Sequence, residues 1–173
     1  MPPFCFTVLC GTLARGGHPQ NHKVIDRKHI GAVLPSYEVE VEKGRLRFFA
    51  KAIGETNPIY TDEQAARQAG YPSLPIPPTF LFTLEREHSH RFDYLQMLGV
   101  DLHRVLHGEQ SFAYHKPVYA GDTVVFEPRI ADIYDKKNGA LEFIALETVV
   151  KDKSGSLVAE LRSLIVLKNG EAT

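Results

Sequence analysis

The segment Thr79-Phe80-Leu81-Phe82-Thr83-Leu84 is apolar on every side of a helix. A helix without a polar face is one that the rest of its domain encloses. Pro78 suits the first position of this helix, because proline lacks the N–H that would have no partner there. A proline-rich loop over residues 71–78 leads into the segment. We therefore predict a buried central helix that begins at about Pro78.

Strand patterns fill the chain after His103. We predict four strands, at about residues 105–117, 122–134, 140–152 and 156–168. Asn138-Gly139 is a strong hairpin signal between the second and the third of them. The segment 141–150 is apolar on both faces, which predicts a central position in the sheet. Pro128 cannot donate to a strand ladder, so it predicts either a bulge or an edge position for the second strand.

One strand and two helices are predicted before the central helix. Apolar residues alternate with glutamates over 37–42, which predicts a strand with one exposed face, ended by Gly44. Helical spacing of apolar residues predicts a helix over 46–53. A second short helix is predicted over 62–69, with Thr61 as its N-cap. This order favours an α+β fold in which a strongly bent antiparallel sheet wraps around the central helix.

The composition is that of one ordinary globular domain. The chain has 173 residues, and its formal net charge of −1 indicates neither a nucleic-acid surface nor a surface for anionic membranes. We predict one domain over residues 26–169. An N-terminal tail over residues 1–25, expected to be mobile, precedes it, and a C-terminal tail over residues 170–173 follows it.

The start of the chain bears on its compartment. The apolar segment 4–10 has no basic region before it and is far too short to span a bilayer. Cys5 and Cys10 lie outside the predicted core, and two such cysteines do not make a disulfide framework. We therefore predict a location in the reducing cytoplasm.

Three segments, in this order, give the chain a family resemblance. They are Gly54-Glu55-Thr56-Asn57-Pro58-Ile59-Tyr60, then Ile76-Pro77-Pro78-Thr79-Phe80, then the region from Leu106-His107-Gly108-Glu109-Gln110 to Ala120-Gly121-Asp122. Over about residues 26–168 the chain resembles the N-terminal MaoC-like, or FAS1-like, dehydratase family. The first segment is similar to the signature Gly-Asp-x-Asn-Pro-x-His of MaoC-like dehydratases and (R)-specific enoyl-CoA hydratases. The resemblance implies a hot-dog fold, a bent sheet around a central helix.

The resemblance also implies roles for the first segment. In the active enzymes, the Asp and the His of the signature form an acid/base pair on the acyl chain. Glu55 holds the Asp position here, Asn57 the Asn position and Tyr60 the His position, and these three are the candidate catalytic residues. A tyrosine hydroxyl, with an ordinary pKa of about 10 against about 6.5 for histidine, is a poor base at neutral pH. The alternatives are a solvated carboxylate, a turn initiator and a packing aromatic.

The candidate substrate-binding residues are Pro78, Thr79, Phe80 and His107. A helix start presents free N–H groups and a positive partial charge, which suit the oxygen of a thioester carbonyl. Because the prolines lack an N–H, Thr79 and Phe80 are the expected donors; alternatively, the prolines only shape the loop. His107 is expected near the acyl pocket. Either His107 or His115 could replace the missing base, and either could be purely structural.

No metal site and no cofactor are predicted. His88-Ser89-His90, with Glu85 and Glu87 nearby, lacks the i, i+4 spacing that places two histidines on one helical face. The sequence contains no dinucleotide-binding fingerprint, no phosphate-binding loop, and no serine or cysteine nucleophile elbow.

The function implied is that of a hydro-lyase acting on (3R)-hydroxyacyl or enoyl thioesters of coenzyme A or acyl carrier protein. The main alternative is a non-catalytic, acyl-binding subunit of a heteromeric dehydratase whose partner carries the Asp/His pair. A stand-alone sensor or carrier of acyl thioesters is a third possibility. The expected partners are acyl-CoA or acyl-ACP and a second hot-dog subunit, identical or different, because a lone bent sheet leaves an edge to cover. Nucleic acid and membranes are not expected partners.

Overall fold

A five-stranded antiparallel sheet dominates residues 24–169, the part of the chain that the computed structural model describes. The strands are β1 (Tyr37–Glu40), β2 (Val105–Tyr114), β3 (Thr123–Lys136), β4 (Leu141–Asp152) and β5 (Leu157–Lys168). The four long strands lie within three residues of their predicted bounds. Lys137, Asn138 and Gly139 turn the chain at positive φ between β3 and β4, which confirms the predicted hairpin.

The strands lie in the order β1-β3-β4-β5-β2. β4 is central, as its two apolar faces predict, and β3 is not an edge strand. Pro128 of β3 lies opposite Thr148, and its carbonyl accepts the N–H of Leu34 at 2.9 Å. The side of the proline without an N–H therefore faces away from β4, so the ladder to β4 keeps its bonds. The edge alternative for Pro128 is wrong, and a bulge follows between Ile130 and Asp132.

Four α-helices complete the described part. They are α1 (Lys43–Ala52), α2 (Glu63–Gln68), α3 (Phe80–Glu87) and α4 (Asp93–Met97). Short 3-10 turns lie at Arg27–His29, Pro58–Tyr60 and Leu102–Arg104. None of the helices in this range is long and apolar enough to cross a membrane.

Two predicted boundaries are wrong. Gly44 does not end the first strand, because β1 stops at Glu40 and Gly44 lies in the first turn of α1. Asp62, not Thr61, caps α2: its Oδ1 accepts the N–H of Gln64 at 2.7 Å and that of Ala65 at 3.4 Å. Asp62 has the extended backbone of an N-cap, and its carboxylate is a stronger acceptor than a hydroxyl.

The central helix α3 covers one face of the sheet, called the inner face below. Phe80, Leu81 and Leu84 are buried, whereas Phe82 and Thr83 are only partly so. The helix is thus enclosed on one side, which differs from the predicted enclosure on every side. The physical reason is that Thr83 borders an open groove beside α1 and that α3 continues to Glu87, which is exposed.

The apolar residues of the described chain form two clusters. The first contains α3 residues together with Phe112, Phe126 and Leu161, among others. The second contains Ile130, Ile144 and other strand residues, covered by α4. The inner face is therefore not one continuous apolar surface.

Glu142 connects the two ends of the described chain. Its carboxylate is 2% exposed, and Oε1 accepts the N–H of Ile25 at 2.7 Å. Oε2 accepts the Nδ2 group of Asn169 at 2.8 Å. Ile25 is itself buried in the second cluster, so the ordered domain includes this last residue of the predicted N-terminal tail. The other residues of the predicted tails, 1–23 and 170–173, lie outside the described residues apart from Val24, which is exposed.

Replacing Glu142 is expected to destabilise the domain. Glu142→Leu keeps the site filled but leaves the Ile25 N–H and the Asn169 amide without their acceptor, at a cost of about 2–4 kcal/mol. For a chain of this length, that loss lowers the Tm by roughly 5–12 °C in thermal denaturation. Glu127→Leu, at an exposed carboxylate paired with Lys151, is the control and should change the Tm little. Equal Tm values for the two variants would show that Glu142 does not hold the chain ends.

Candidate functional site

The loop after α1 carries the three candidate catalytic residues. Gly54 has a φ of +72°, and the N–H groups of Gly54 and Glu55 return to the carbonyls of Lys51 and Ala50 at 3.2 and 2.9 Å. These are the two bonds of a Schellman motif, which ends a helix with a left-handed residue. Gly54, the glycine of the signature, therefore terminates α1, and Glu55 follows directly after this turn.

Glu55, Asn57 and Tyr60 lie together in this loop. The Oε1 atom of Glu55 accepts the N–H of Asn57 at 2.8 Å, and the Oδ1 atom of Asn57 accepts the N–H of Ile59 at 3.2 Å. Burial raises the pKa of the Tyr60 hydroxyl, and the nearby charge of Glu55 raises it further. Glu55 and Tyr60 are half-buried and Asn57 is exposed. Asn57 thus shapes the loop, while Tyr60 holds a neutral phenol beside the Glu55 carboxylate.

At the start of α3, one of the two backbone N–H groups that were predicted to bind a ligand is already in use. The N–H of Phe80 already donates to the carbonyl of Pro77 at 3.0 Å, so it is not free for a ligand. The N–H groups of Thr79 and Leu81 have no hydrogen-bond partner among residues 24–169. Pro78 is exposed, and its carbonyl accepts the hydroxyl of Tyr114 at 2.7 Å, which holds the turn in place. Tyr114 was not among the residues predicted from the sequence.

The helices α1 and α3 run antiparallel beside a shallow groove. Arg45 of α1 pairs with Glu87 at the end of α3, at 2.6 Å. Near the other end of α1, the rings of Phe49 and Phe80 meet edge to face at 5.2 Å. The groove between the helices is lined by apolar residues that include Phe48, which is 76% exposed, and Phe80. The end of α1, from which the loop at Gly54 leads, therefore lies beside the start of α3.

His107 lies elsewhere, on the inner face near the start of β2. No hydrogen bond or ring contact joins it to Glu55 or Tyr60 within the described residues. Its ring stacks on Phe82 of α3, with 5.0 Å between centroids and 21° between planes. His115, the other histidine considered as a base, pairs through Nε2 with Glu160 at 2.9 Å and is exposed.

A group of buried polar residues under α3 escaped the sequence analysis. Gln110, Thr148 and Ser163 are at most 6% exposed. Thr148 donates its hydroxyl to Oε1 of Glu85 at 2.7 Å, and burial raises the pKa of Glu85. These residues interrupt otherwise apolar strands between the two clusters. A polar residue at an inward-facing position of an otherwise apolar strand is the sequence signal that could have predicted them.

The histidines near the end of α3 form no metal site. His88 stacks on Tyr37, with 3.9 Å between centroids, and Nδ1 of His90 contacts Asp93 at 2.9 Å. Over residues 24–169, no three His, Cys, Asp or Glu side chains are grouped so as to hold a metal ion.

Comparison with known proteins identifies the protein family to which the chain belongs. The chain belongs to the FAS1-like dehydratase family, because the family model described as "FAS1-like, dehydratase domain region" matches residues 28–161. A relative from Streptomyces avermitilis, described as a UPF0336 protein, is 33% identical over 148 residues, which cover 85% of this chain and 97% of that protein.

Two solved structures from Mycobacterium tuberculosis share the fold. A C-terminally truncated HadBC complex, a (3R)-hydroxyacyl-ACP dehydratase, matches with a TM-score of 0.69 and 26% identity over 80% of this chain and 96% of that chain. A conserved hypothetical protein with a double hotdog fold matches with a TM-score of 0.60 and 19% identity, over 85% of this chain and 41% of that chain. The predicted hot-dog fold and family are thereby confirmed.

A β-bulge at Gly108 sets the position of His107. The register of β2 against β5 shifts between His107 and Glu109, so His107 lies opposite Ile165 and Gln110 lies opposite Ser163. Side chains three apart in a regular strand point to opposite faces, and the extra residue brings His107 and Gln110 to the same one. A Cβ at Gly108 would come within 2.7 Å of the Cγ2 atom of Val166. A side chain at the bulge would therefore have to displace Val166 or the strand.

Gly108→Ala is expected to destabilise the domain by about 1–3 kcal/mol, because the added methyl group must displace Val166 or the strand. Thermal denaturation measures the effect. Gly44→Ala is the matched control, since nothing lies within 4 Å of a Cβ built at Gly44, and it should leave the Tm unchanged or slightly raised. A second variant, Gly108→Ala with Val166→Ala, should recover part of the loss. No loss in the single variant would mean that the bulge tolerates a side chain.

Proposed function

We propose that this chain is a hot-dog subunit of a hydro-lyase that adds water to enoyl thioesters, or removes it from (3R)-hydroxyacyl thioesters, of coenzyme A or acyl carrier protein. The observation that carries the proposal is that the end of α1, which leads into the Glu55 loop, lies beside the start of α3. A carboxylate and a free backbone N–H, that of Thr79, are the parts that this reaction needs. The family and the named dehydratase among the solved structures support it.

The chemistry follows from the two parts. The N–H group of Thr79, aided by the positive end of α3, binds the thioester oxygen and stabilises the enolate that forms when the α-proton leaves. The N–H of Leu81 is not available for this, because Leu81 is fully buried. The Glu55 carboxylate takes that proton. The C3–O bond then breaks as the protonated Glu55 returns that proton to the departing hydroxyl, which leaves as water. Hydration follows the same steps in reverse. No cofactor is needed for either direction.

The chemistry of the Tyr60 side chain favours a second candidate function. Its raised pKa keeps the phenol protonated near neutral pH, so it cannot act as the base that a histidine provides. One oxygen of Glu55 is also bonded to the Asn57 N–H. Both features suit a subunit that binds the acyl thioester while a second hot-dog subunit supplies the acid/base pair. HadBC, among the similar structures, is itself described as a complex.

Hydration of crotonyl-CoA tests the proposal, with the purified chain alone and with any co-encoded partner. Glu55→Gln keeps the size and polarity of the side chain but cannot exchange a proton, so the rate should fall about 10²–10⁴-fold. Tyr60→Phe should cost less, because the phenol only binds or orients. Glu127→Gln, on an exposed part of β3, serves as the control and should keep the wild-type rate.

The double variant Glu55→Asp, Tyr60→His separates the two candidates. It restores the acid/base pair of the family signature and should raise the hydration rate if the loop holds the productive geometry. If neither it nor the wild type turns over crotonyl-CoA, and acyl thioesters still bind, the acyl-binding subunit is the function. A wild-type rate in Glu55→Gln would exclude Glu55 as the base.

We also propose that the chain works as a dimer, with itself or with another hot-dog subunit, in the cytoplasm. β2 is an edge strand without a neighbour beyond it in the described sheet, and Leu106 on it is 43% exposed. An uncovered edge of this length invites a second strand. Light scattering at micromolar concentration should therefore give the mass of two subunits, or of a complex with the co-encoded partner. A monomeric mass with no partner found would contradict the proposal.

A further inference from the structure

The groove between α1 and α3 begins at the proposed thioester site. Its walls are apolar side chains of both helices together with one threonine: Phe48, Phe49, Ala52, Phe80 and Thr83. Ala52 is the last residue of α1, and Phe80 is the first residue of α3. Thr79, the proposed donor to the thioester oxygen, directly precedes Phe80, and Glu55 follows three residues after Ala52. This end of the groove therefore adjoins the groups that act on the thioester.

The groove leads away from this site along α3. Thr79, Thr83 and Glu87 are spaced by four residues, which places them along one side of the helix. Thr83 and Glu87 both line the groove. From Thr79 to Glu87 the helix advances about 12 Å, at about 1.5 Å per residue. A ligand that starts at Thr79 and follows the groove thus arrives at Glu87.

An ion pair connects the two helices at the far end of the groove. Nη1 of Arg45 lies 2.6 Å from Oε2 of Glu87, and Nε of Arg45 lies 3.8 Å from Oε2 of Glu42. All three residues line the groove. A hydrocarbon chain that passed this point would remove water from the charged groups, which is unfavourable, whereas a shorter chain leaves them hydrated and paired. The groove therefore has apolar walls and a charged end.

The apolar walls favour one part of an acyl thioester. Two chains lead away from the thioester group, the alkyl chain and the pantetheine arm. The pantetheine arm contains amide groups, and placing these against apolar walls is unfavourable unless they find hydrogen-bond partners. The alkyl chain has no polar group to desolvate, and each methylene group that is fully buried raises the affinity about fourfold. The groove therefore suits the alkyl chain.

We propose that the groove binds the acyl chain of the substrate and that the Arg45–Glu87 pair limits this chain to about eight carbons. The inference rests on the proposed function and deepens it by naming the substrate class, which is thioesters of short and medium-length acyl chains. An extended chain with C–C bonds of about 1.5 Å advances about 1.3 Å per carbon. An octanoyl chain that starts at Thr79 therefore ends just before the ion pair.

Three saturated ligands measure the length of the groove. Butyryl-CoA, octanoyl-CoA and dodecanoyl-CoA differ only in the number of methylene groups. Titration calorimetry uses the purified full-length chain, together with any co-encoded partner. Octanoyl-CoA should bind about 10–100-fold more tightly than butyryl-CoA, because an open groove buries only part of each methylene group. Dodecanoyl-CoA should gain no more than about twofold over octanoyl-CoA, because its last carbons stay in water.

Phe48→Ser removes one wall of the groove. Phe48 is 76% exposed, so the Tm should stay unchanged. The preference for octanoyl-CoA over butyryl-CoA should fall about fivefold, since the chain loses an apolar contact at its middle carbons. Butyryl-CoA, which is too short to reach Phe48, should bind as it does to the wild type. Val33→Ser is the matched control, because Val33 is 80% exposed and lies outside the groove.

The double variant Arg45→Ala, Glu87→Ala opens the far end of the groove. Dodecanoyl-CoA should then bind about tenfold more tightly than octanoyl-CoA, because its last methylene groups no longer meet the ion pair. The affinity for butyryl-CoA should not change. Arg129→Ala with Glu147→Ala is the matched control, since it removes an exposed ion pair between β3 and β4 and should keep the wild-type pattern.

Each contrary result overturns the inference and bears differently on the proposed function. If butyryl-CoA binds and octanoyl-CoA binds no more tightly, the acyl chain lies elsewhere and the thioester function stands. If Phe48→Ser weakens all three ligands by the same factor, the groove holds the pantetheine arm. If the double variant of Arg45 and Glu87 keeps the wild-type pattern, the ion pair does not limit the chain. If no ligand binds with or without the partner, the proposed function and this inference both fail.

Discussion

The edge-to-face contact between Phe49 and Phe80 is the constraint on which the candidate site depends. Phe49 lies in the last turn of α1, and Phe80 is the first residue of α3. Their contact at 5.2 Å therefore brings the end of one helix to the start of the other. The Schellman turn at Gly54 then places Glu55 immediately beyond α1. Neither the helix start nor the signature loop would form a site alone, since each supplies only half of the groups that a thioester reaction requires.

The parts of the fold that depend on local chemistry were predictable from the sequence. The strand patterns of β2 to β5 and the Asn138-Gly139 turn depend on residues that are close in sequence, so they could be predicted without knowing the fold. The errors arose where neighbouring residues compete for the same role. Asp62 displaced Thr61 as the cap of α2, and the N–H of Phe80 found an acceptor in Pro77.

The buried polar residues could not be predicted, because their environment is set by distant segments. Gln110, Ser163 and Thr148 come from three strands, and only the strand order brings their side chains under α3. The face on which His107 lies depends on a single extra residue at the bulge. A period-2 reading of β2 assigns His107 and Gln110 to opposite faces. The same holds for the candidate site. The signature loop could be recognised in the sequence, whereas the position of the end of α1 beside α3 could not.

Backbone features and side chains differ in how easily substitution removes them. The free N–H group of Thr79 at the start of α3 and the turn at Gly54 belong to the backbone, so they survive most changes of side chain. The acid/base pair depends on two side chains, and both depart from the family signature: Glu55 stands at the Asp position and Tyr60 at the His position. Under the proposed function, a lineage could thus lose the acid/base chemistry of such a domain while it keeps the backbone geometry at the start of α3.

The two contacts of Glu142 have a consequence for how such domains combine. Ile25 and Asn169 bond to the two oxygens of one carboxylate, so the two ends of the described domain lie within a few ångströms of each other. Adjacent ends allow a domain to be circularly permuted, or inserted into another domain, with little strain in the connection. The double hotdog protein, of which this chain covers 41%, is an arrangement of two such folds in one polypeptide. The buried Glu142 thus holds the first and the last described residues of the domain close together, so a short linker could join them.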